Sequence, residues 1–211
     1  MTTDGVDGAR PARGRRADGA LAHVRAATAQ AHEELDGGLD VLHRPWDVEL
    51  HRRWLELTLG LLDPLEASLE RWARTDPAAL DVAARSRAGM AREDLRALGA
   101  DGAAVDAVPL CPDAPTAAGR AQALGLCYVL DGSTLGGALI HRTAVAAGVP
   151  ERACTSLVGR PGAGRRWRET AAAVDALGAP GDAAVEEMTA TALAAFAAYR
   201  RWLAPLARTT A

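Results

Sequence analysis

Residues 124–142, LGLCYVLDGSTLGGALIHR, set four helix-breaking residues inside a strongly apolar, helix-like run: Gly132, Ser133, Gly136 and Gly137. A glycine in a helix interior costs about 1 kcal/mol relative to alanine, so the pattern needs a compensating reason. One reason is a loop between two elements. A second is a close crossing of two helices. A third is a large flat ligand pressed against bare backbone, where any Cβ would collide. Gly132 and Gly136 are four residues apart and share one side of a helix, so the third reason is geometrically open.

The rest of the chain narrows the setting. With 211 residues, 49% of them apolar, it can bury a core as one domain. A net charge of −3 leaves no basic surplus for a nucleic-acid backbone. No uninterrupted run of 18 apolar residues occurs, so no membrane span is expected. Residues 1–18 are polar and rich in glycine and arginine, lack the apolar stretch of a secretory signal, and read as a disordered leader to a domain over 19–207. Cys111, Cys127 and Cys154 are odd in number and widely spaced, forming neither a disulfide framework nor a zinc site, which suits a reducing cytoplasm. The chain contains no lysine, which removes P-loop, Schiff-base and catalytic-lysine chemistry. Neither Gly-x-Ser-x-Gly nor a dinucleotide-binding glycine motif after a strand is found.

Taken in order, the periodicity predicts helices throughout. The first covers 19–36. On a helical wheel His32 shares its face with Leu21, Arg25, Thr28 and Leu35, whereas His23 falls on the opposite, solvated face. Arg25 lies two turns before His32, about 10.5 Å along the axis. Gly37-Gly38 is the stop signal and Asp47 the N-cap of a long helix from about Val48, which Asp63-Pro64 either kinks or divides. Trp54 and Trp72 are assigned to the core. A helix over 78–98 follows, with Leu95 and Leu98 inward, then a loop over 100–115. Thr116 caps the central helix, which continues to about Ala147. A second loop carries Gly159, Gly162 and Gly164. Helices over 165–177 and 182–206 complete an all-α architecture of seven or eight helices in a single domain.

RAATAQAHEELD at 25–36, followed by ALGLCYVLDGSTLGGALIHR at 123–142, resembles the bacterial type of biliverdin-producing heme oxygenase. Weaker matches follow the family's order: DPLEASLERW (63–72), REDLRALG (92–99), GRRWRE (164–169) and AAFAAYRRWL (194–203). The first motif resembles the family's proximal helix and the second its distal helix. The resemblance implies a heme-oxygenase-like bundle in which heme is both substrate and cofactor, sandwiched between the two. His32 is then the axial iron ligand, a role that suits a neutral imidazole. Arg25 matches a basic residue for a heme propionate, and a guanidinium suits a carboxylate. Tyr128 offers its hydroxyl to a propionate or to distal water. Arg142, Arg200 and Arg201 are candidates for a second propionate, or ordinary surface arginines. Gly132, Gly136 and Gly137 admit backbone close to the ring, and Ser133 holds water there.

The implied activity is oxidative opening of the ring to biliverdin with release of CO and Fe(II), using O2 and electrons from an external reductase or ferredoxin. Heme and that redox protein are the implied partners. Three departures from the family pattern stand out: Ser133 in place of the aspartate of the mammalian-type motif, Asp131 where glutamate is common, and Ala138 where many bacterial relatives carry arginine. Two other functions remain open on this scaffold, a non-catalytic heme sensor or carrier and a site repurposed for another small-molecule oxidation. A helical di-iron centre is disfavoured, since none of His23, His32, His43, His51 or His141 follows a glutamate by three residues.

Overall fold

The structure, a computed structural model, describes residues 19–41, 44–76 and 78–207. His43 and the leader at 1–18 lie outside the described residues. Eight α-helices and no strand are found among the described residues: α1 (Ala20–Leu39), α2 (Val48–Ala73), α3 (Ala88–Ala97), α4 (Gly102–Asp106), α5 (Arg120–Ala146), α6 (Thr155–Val158), α7 (Ala163–Asp175) and α8 (Ala183–Ala207). The all-α expectation holds. The helix α5 is central and packs against α8, α7, α6 and α2, while α1 lies on α8 and α7. Over an 18-residue window α5 is apolar enough to cross a membrane, with a mean hydropathy of 1.4, but 56% of that window is buried within the bundle.

Several boundaries differ from the periodicity, each for a local reason. α1 runs through Gly37 and Gly38, and stops instead at Asp40, whose φ of 42° is the left-handed conformation that aspartate tolerates. Asp47 caps α2 as expected, its carboxylate accepting from the Leu50 amide at 2.7 Å. Pro64 neither breaks nor divides α2. Proline cannot donate to the carbonyl four residues back, which is that of Gly60. That carbonyl instead accepts from the Cys111 amide at 2.8 Å. A Cβ on residue 60 would lie 2.3 Å from the Pro109 carbonyl oxygen, so glycine and proline together dock the 107–111 segment on α2.

The helix expected over 78–98 begins only at Ala88, after a 3-10 turn at Ala83–Arg85. Asp81 takes the Ala84 amide at 3.0 Å, and Glu66 of α2 takes the Arg87 amide at 2.7 Å, which diverts the chain before α3 starts. Leu95 is fully buried and Leu98 partly so. The expected loop over 100–115 contains α4, capped by Asp101. Gly119, not Thr116, is the N-cap of α5. Trp54 and Trp72 are both buried, as assigned.

Candidate functional site

A cavity of about 720 Å³ opens between α1 and α5, with further walls from α2, α6, α7 and α8. Its size is that of a cofactor site and its lining is mostly apolar. His32 of α1 lines it, with its ring edge-on to Phe196 of α8 at 5.7 Å between centroids. Nδ1 of His32 lies 3.2 Å from the Asp36 carboxylate one turn on, which leaves Nε2 as the free ring nitrogen. The His32 side chain is 60% exposed, so it is not a buried histidine tied to a backbone carbonyl. His23 reverses the expectation of a solvated residue. It is half-buried, with Nε2 3.1 Å from Glu186 of α8, because α8 lies along that flank of α1.

Arg25 also lines the cavity, and its guanidinium sits 5.6 Å above the ring of Trp167 in α7. That contact holds a long side chain in place by cation–π attraction while its donors stay accessible. Tyr128 is buried and packs on the same Trp167 at 5.6 Å. Its hydroxyl is 3.2 Å from Thr28 Oγ1. Thr28 already gives its proton to the Val24 carbonyl at 2.8 Å, so Tyr128 is the donor in that pair. Thr28 and Arg25 therefore share the face that the periodicity assigned to them.

The glycine-rich run is helical throughout, which removes the loop reading. Its glycines divide by what a Cβ would meet. At Gly137 a Cβ would be 1.9 Å from the Leu157 carbonyl oxygen, so this glycine lets α6 cross α5 at backbone contact. At Gly136 a Cβ would meet nothing within 4 Å, and at Gly132 only the edge of Trp167 at 3.6 Å. Both line the cavity. The cavity wall of α5 is thus bare backbone at two positions where protein packing does not demand it. Gly137 also lines the cavity, but the crossing accounts for its lack of a side chain.

Two arginines in the turn before α3 grip α5 on either side of Gly132. Arg85 Nε donates to Asp131 at 3.0 Å and its Nη2 to Glu169 of α7 at 3.1 Å, and Thr170 donates to Asp131 at 2.6 Å. Arg87 Nη2 donates to Ser133 Oγ at 2.7 Å and to the Leu130 carbonyl at 3.3 Å. The Ser133 hydroxyl passes its own proton to Leu130 at 2.8 Å. Burial raises the Glu66 carboxyl above its ordinary range, although the amides of Arg87 and Ala88 and the Ser86 hydroxyl oppose the shift. Behind α6, fully buried Asp94 accepts from the amides and hydroxyls of Thr155 and Ser156 at 2.6–3.0 Å.

The structure thus brings His32, Arg25, Tyr128, Gly132, Ser133, Gly136 and Gly137 to one cavity. Arg142 and Arg200 do not line it. Arg142 is exposed. Arg200 pairs with Glu34 on α1, and Arg201 with Asp113, so both are engaged at the surface. Arg87, Trp167, Tyr199 and Phe196 line the cavity without having been singled out. Trp167, Phe196 and Tyr199 all lie in the weaker family matches at 164–169 and 194–203, as rare aromatics of the chain. Arg87 carries no sequence signal among 24 arginines. Among the described residues no group of three or more His, Cys, Asp and Glu is placed to hold a metal ion.

The family model for heme oxygenase matches residues 18–205. A solved structure, the NO- and CO-bound heme oxygenase from Neisseria meningitidis, is similar in fold. It shares 21% identity over 92% of this chain and 95% of that one, with a TM-score of 0.70. No curated protein matches the sequence. Family and fold together support heme degradation in general, and with the motif-bearing helices facing one cavity, this chain belongs to the heme oxygenase family.

Proposed function

We propose that the protein is a cytoplasmic heme oxygenase that opens heme to biliverdin with release of CO and Fe(II). The observation that carries this reading is the bare backbone at Gly132 and Gly136, facing the same apolar cavity as His32 without a packing reason of the protein's own. A cradle that a Cβ would fill, one imidazole with a free Nε2, and an accessible guanidinium fit a flat, iron-bearing dianion. Heme bound there supplies both the iron that reacts with O2 and the ring that is opened, with electrons from an external reductase or ferredoxin.

The chain's own residues bind, orient and exclude. His32 would hold the iron through Nε2, and Asp36 at Nδ1 orients the ring and sets its tautomer. Arg25, pinned on Trp167, takes a propionate. Tyr128 and Trp167 form a stiff wall, since the phenol is tied to Thr28 and the indole lies between Tyr128 and Arg25. Gly132 and Gly136 let helix backbone crowd the ring, so no side chain there acts as a strong acid. Ser133 keeps its proton on Leu130 and retains a lone pair, so it orders water rather than protonating it.

The test is a hemin titration followed at the Soret band, then addition of ascorbate or a reductase system with oxygen. A one-to-one complex that converts to biliverdin, and whose axial ligation is lost in His32→Ala, is the expected result. Saturable binding without ring opening would replace the enzyme with a heme sensor or carrier. Without stoichiometric binding, the His32 assignment fails as well.

A further inference from the structure

Arg85 and Arg87 are two residues apart in one turn and reach the residues flanking Gly132, yet their charges meet different fates. Arg85 is neutralised by Asp131 and Glu169. Arg87 is buried, 8% exposed, and among the described residues no carboxylate pairs with its guanidinium. Its partners are a carbonyl and a serine oxygen. Glu66 lies near enough to feel its charge, but that carboxylate is already taken by the Ser86 hydroxyl and the amides of Arg87 and Ala88. A buried charge without a counter-charge is costly to hold.

Arg87 still has donors to give. Among the described residues only Nη2 is engaged, so the other N–H donors of the fork have no partner there. Arg87 lines the cavity beside Ser133. The stem runs past Gly159, where a Cβ would come within 3.3 Å of its Cδ, and the guanidinium is anchored by its bonds to Ser133 and Leu130. Tyr199 of α8, whose phenol is kept protonated by burial, also lines this part of the wall and feels the charge of Arg87. A fixed cation in a mostly apolar wall is worth far more to an anion than one in water.

We propose that Arg87 recognises a small anion, of the class that reduced dioxygen provides, held in the cavity on the glycine-lined side next to Ser133. The inference rests on the heme oxygenase reading above and gives that site a positive charge which its motif does not encode. Arg87 positions the anion and Ser133 orients Arg87. Propionate recognition stays with Arg25.

The test uses the full chain loaded with hemin, with azide as the anionic probe of the ferric complex and CO as a field probe of the ferrous one. In Arg87→Met, azide affinity falls about 10- to 100-fold, the range of one charge-assisted hydrogen bond. The C–O stretch moves to higher frequency, hemin affinity stays within about threefold, and Arg87→Lys recovers most of both shifts. Loss of hemin affinity with unchanged azide binding would overturn the proposal and make Arg87 a propionate partner. No change in either probe would reduce it to a packing contact. If Arg87→Met fails to fold, Arg87→Gln, which keeps a donor but no charge, must show the same azide loss. Failure of the unsubstituted protein to form a one-to-one hemin complex would overturn the heme oxygenase reading itself.

Discussion

Gly136 and Gly137 are adjacent in sequence, and replacing each with alanine should move stability in opposite directions. Neither has positive φ, so alanine is tolerated by the backbone at both. At 136 the new methyl meets no protein atom within 4 Å, and only helix propensity changes. That adds about 1 kcal/mol of stability, or about 2–4 °C in Tm for a domain of this size. At 137 the methyl would sit 1.9 Å from the Leu157 carbonyl oxygen and 2.9 Å from its carbon, so α6 must retreat by about 1 Å. α6 cannot do so freely, because Asp94 holds both Thr155 and Ser156 by amide and hydroxyl. Overpacking of this kind costs typically about 1–3 kcal/mol and occasionally more. With a rigid backbone as the obstacle, a net loss of about 2–3 kcal/mol is expected, lowering Tm by about 4–12 °C. Thermal melts by circular dichroism without hemin read both effects. Hemin titration adds the second half: Gly136→Ala, though more stable, should bind hemin about tenfold or more weakly, since its methyl occupies the cradle. Equal shifts in Tm for the two variants would refute the division of the glycines. Wild-type hemin affinity in Gly136→Ala would refute the ligand-facing assignment of that residue.

Arg85→Met strips Asp131 of its buried cation, leaving only Thr170, and should cost about 3–5 kcal/mol in urea denaturation; a loss under about 1 kcal/mol would mean the pair does not anchor α5. His51 is fully buried with Nε2 on the Ala153 carbonyl at 2.7 Å, and burial lowers its pKa below 6.5. Its contribution to stability is therefore present above the unfolded pKa and lost as pH falls through the folded one, so between pH 7 and 5 the parent should lose more Tm than His51→Gln does. All three cysteines are buried, and burial pushes the Cys127 thiol up to about 12 and those of Cys111 and Cys154 to about 11. A disulfide reagent at pH 8 should leave the folded protein unlabelled, with three equivalents reacting in denaturant.

Where local chemistry decides, the sequence was legible. Asp47 before an apolar run reads as a cap because its carboxylate has an orphan amide to satisfy, and the helical face carrying Arg25, Thr28 and His32 follows from the 3.6-residue period. Where a distant partner decides, it was not. Pro64 stays inside α2 because a residue 47 positions later takes the carbonyl it leaves free, and no window around Pro64 contains that information. His23 is half-covered where it meets Glu186, and Arg200 is paired with Glu34 away from the cavity, both pairings set by how α8 lies on α1. Arg87 is invisible for the same reason. An arginine in an arginine-rich chain becomes a site residue only through the turn that aims it at Ser133.

The polar groups that shape the cavity lie one layer behind its wall, and this explains how a mostly apolar site can be held accurately. Asp131 fixes the α5 backbone next to Gly132, Asp94 fixes the α6 segment that presents Ser156 and Leu157, and Glu66 fixes the turn that presents Arg87. Each carboxylate is buried and held by its donors, on both oxygens of Asp94 and Glu66 and on Oδ2 of Asp131, and none of the three lines the cavity. On its α5 side the wall that faces a ligand is then left with bare backbone, the Tyr128 ring and a serine whose proton is spent. Arg87 is the exception, a charge of that rear layer whose unspent donors reach the cavity. A scaffold that keeps these acids behind the wall while leaving the Arg87 guanidinium beside Ser133 without a carboxylate, among the described residues, favours a negative charge appearing there.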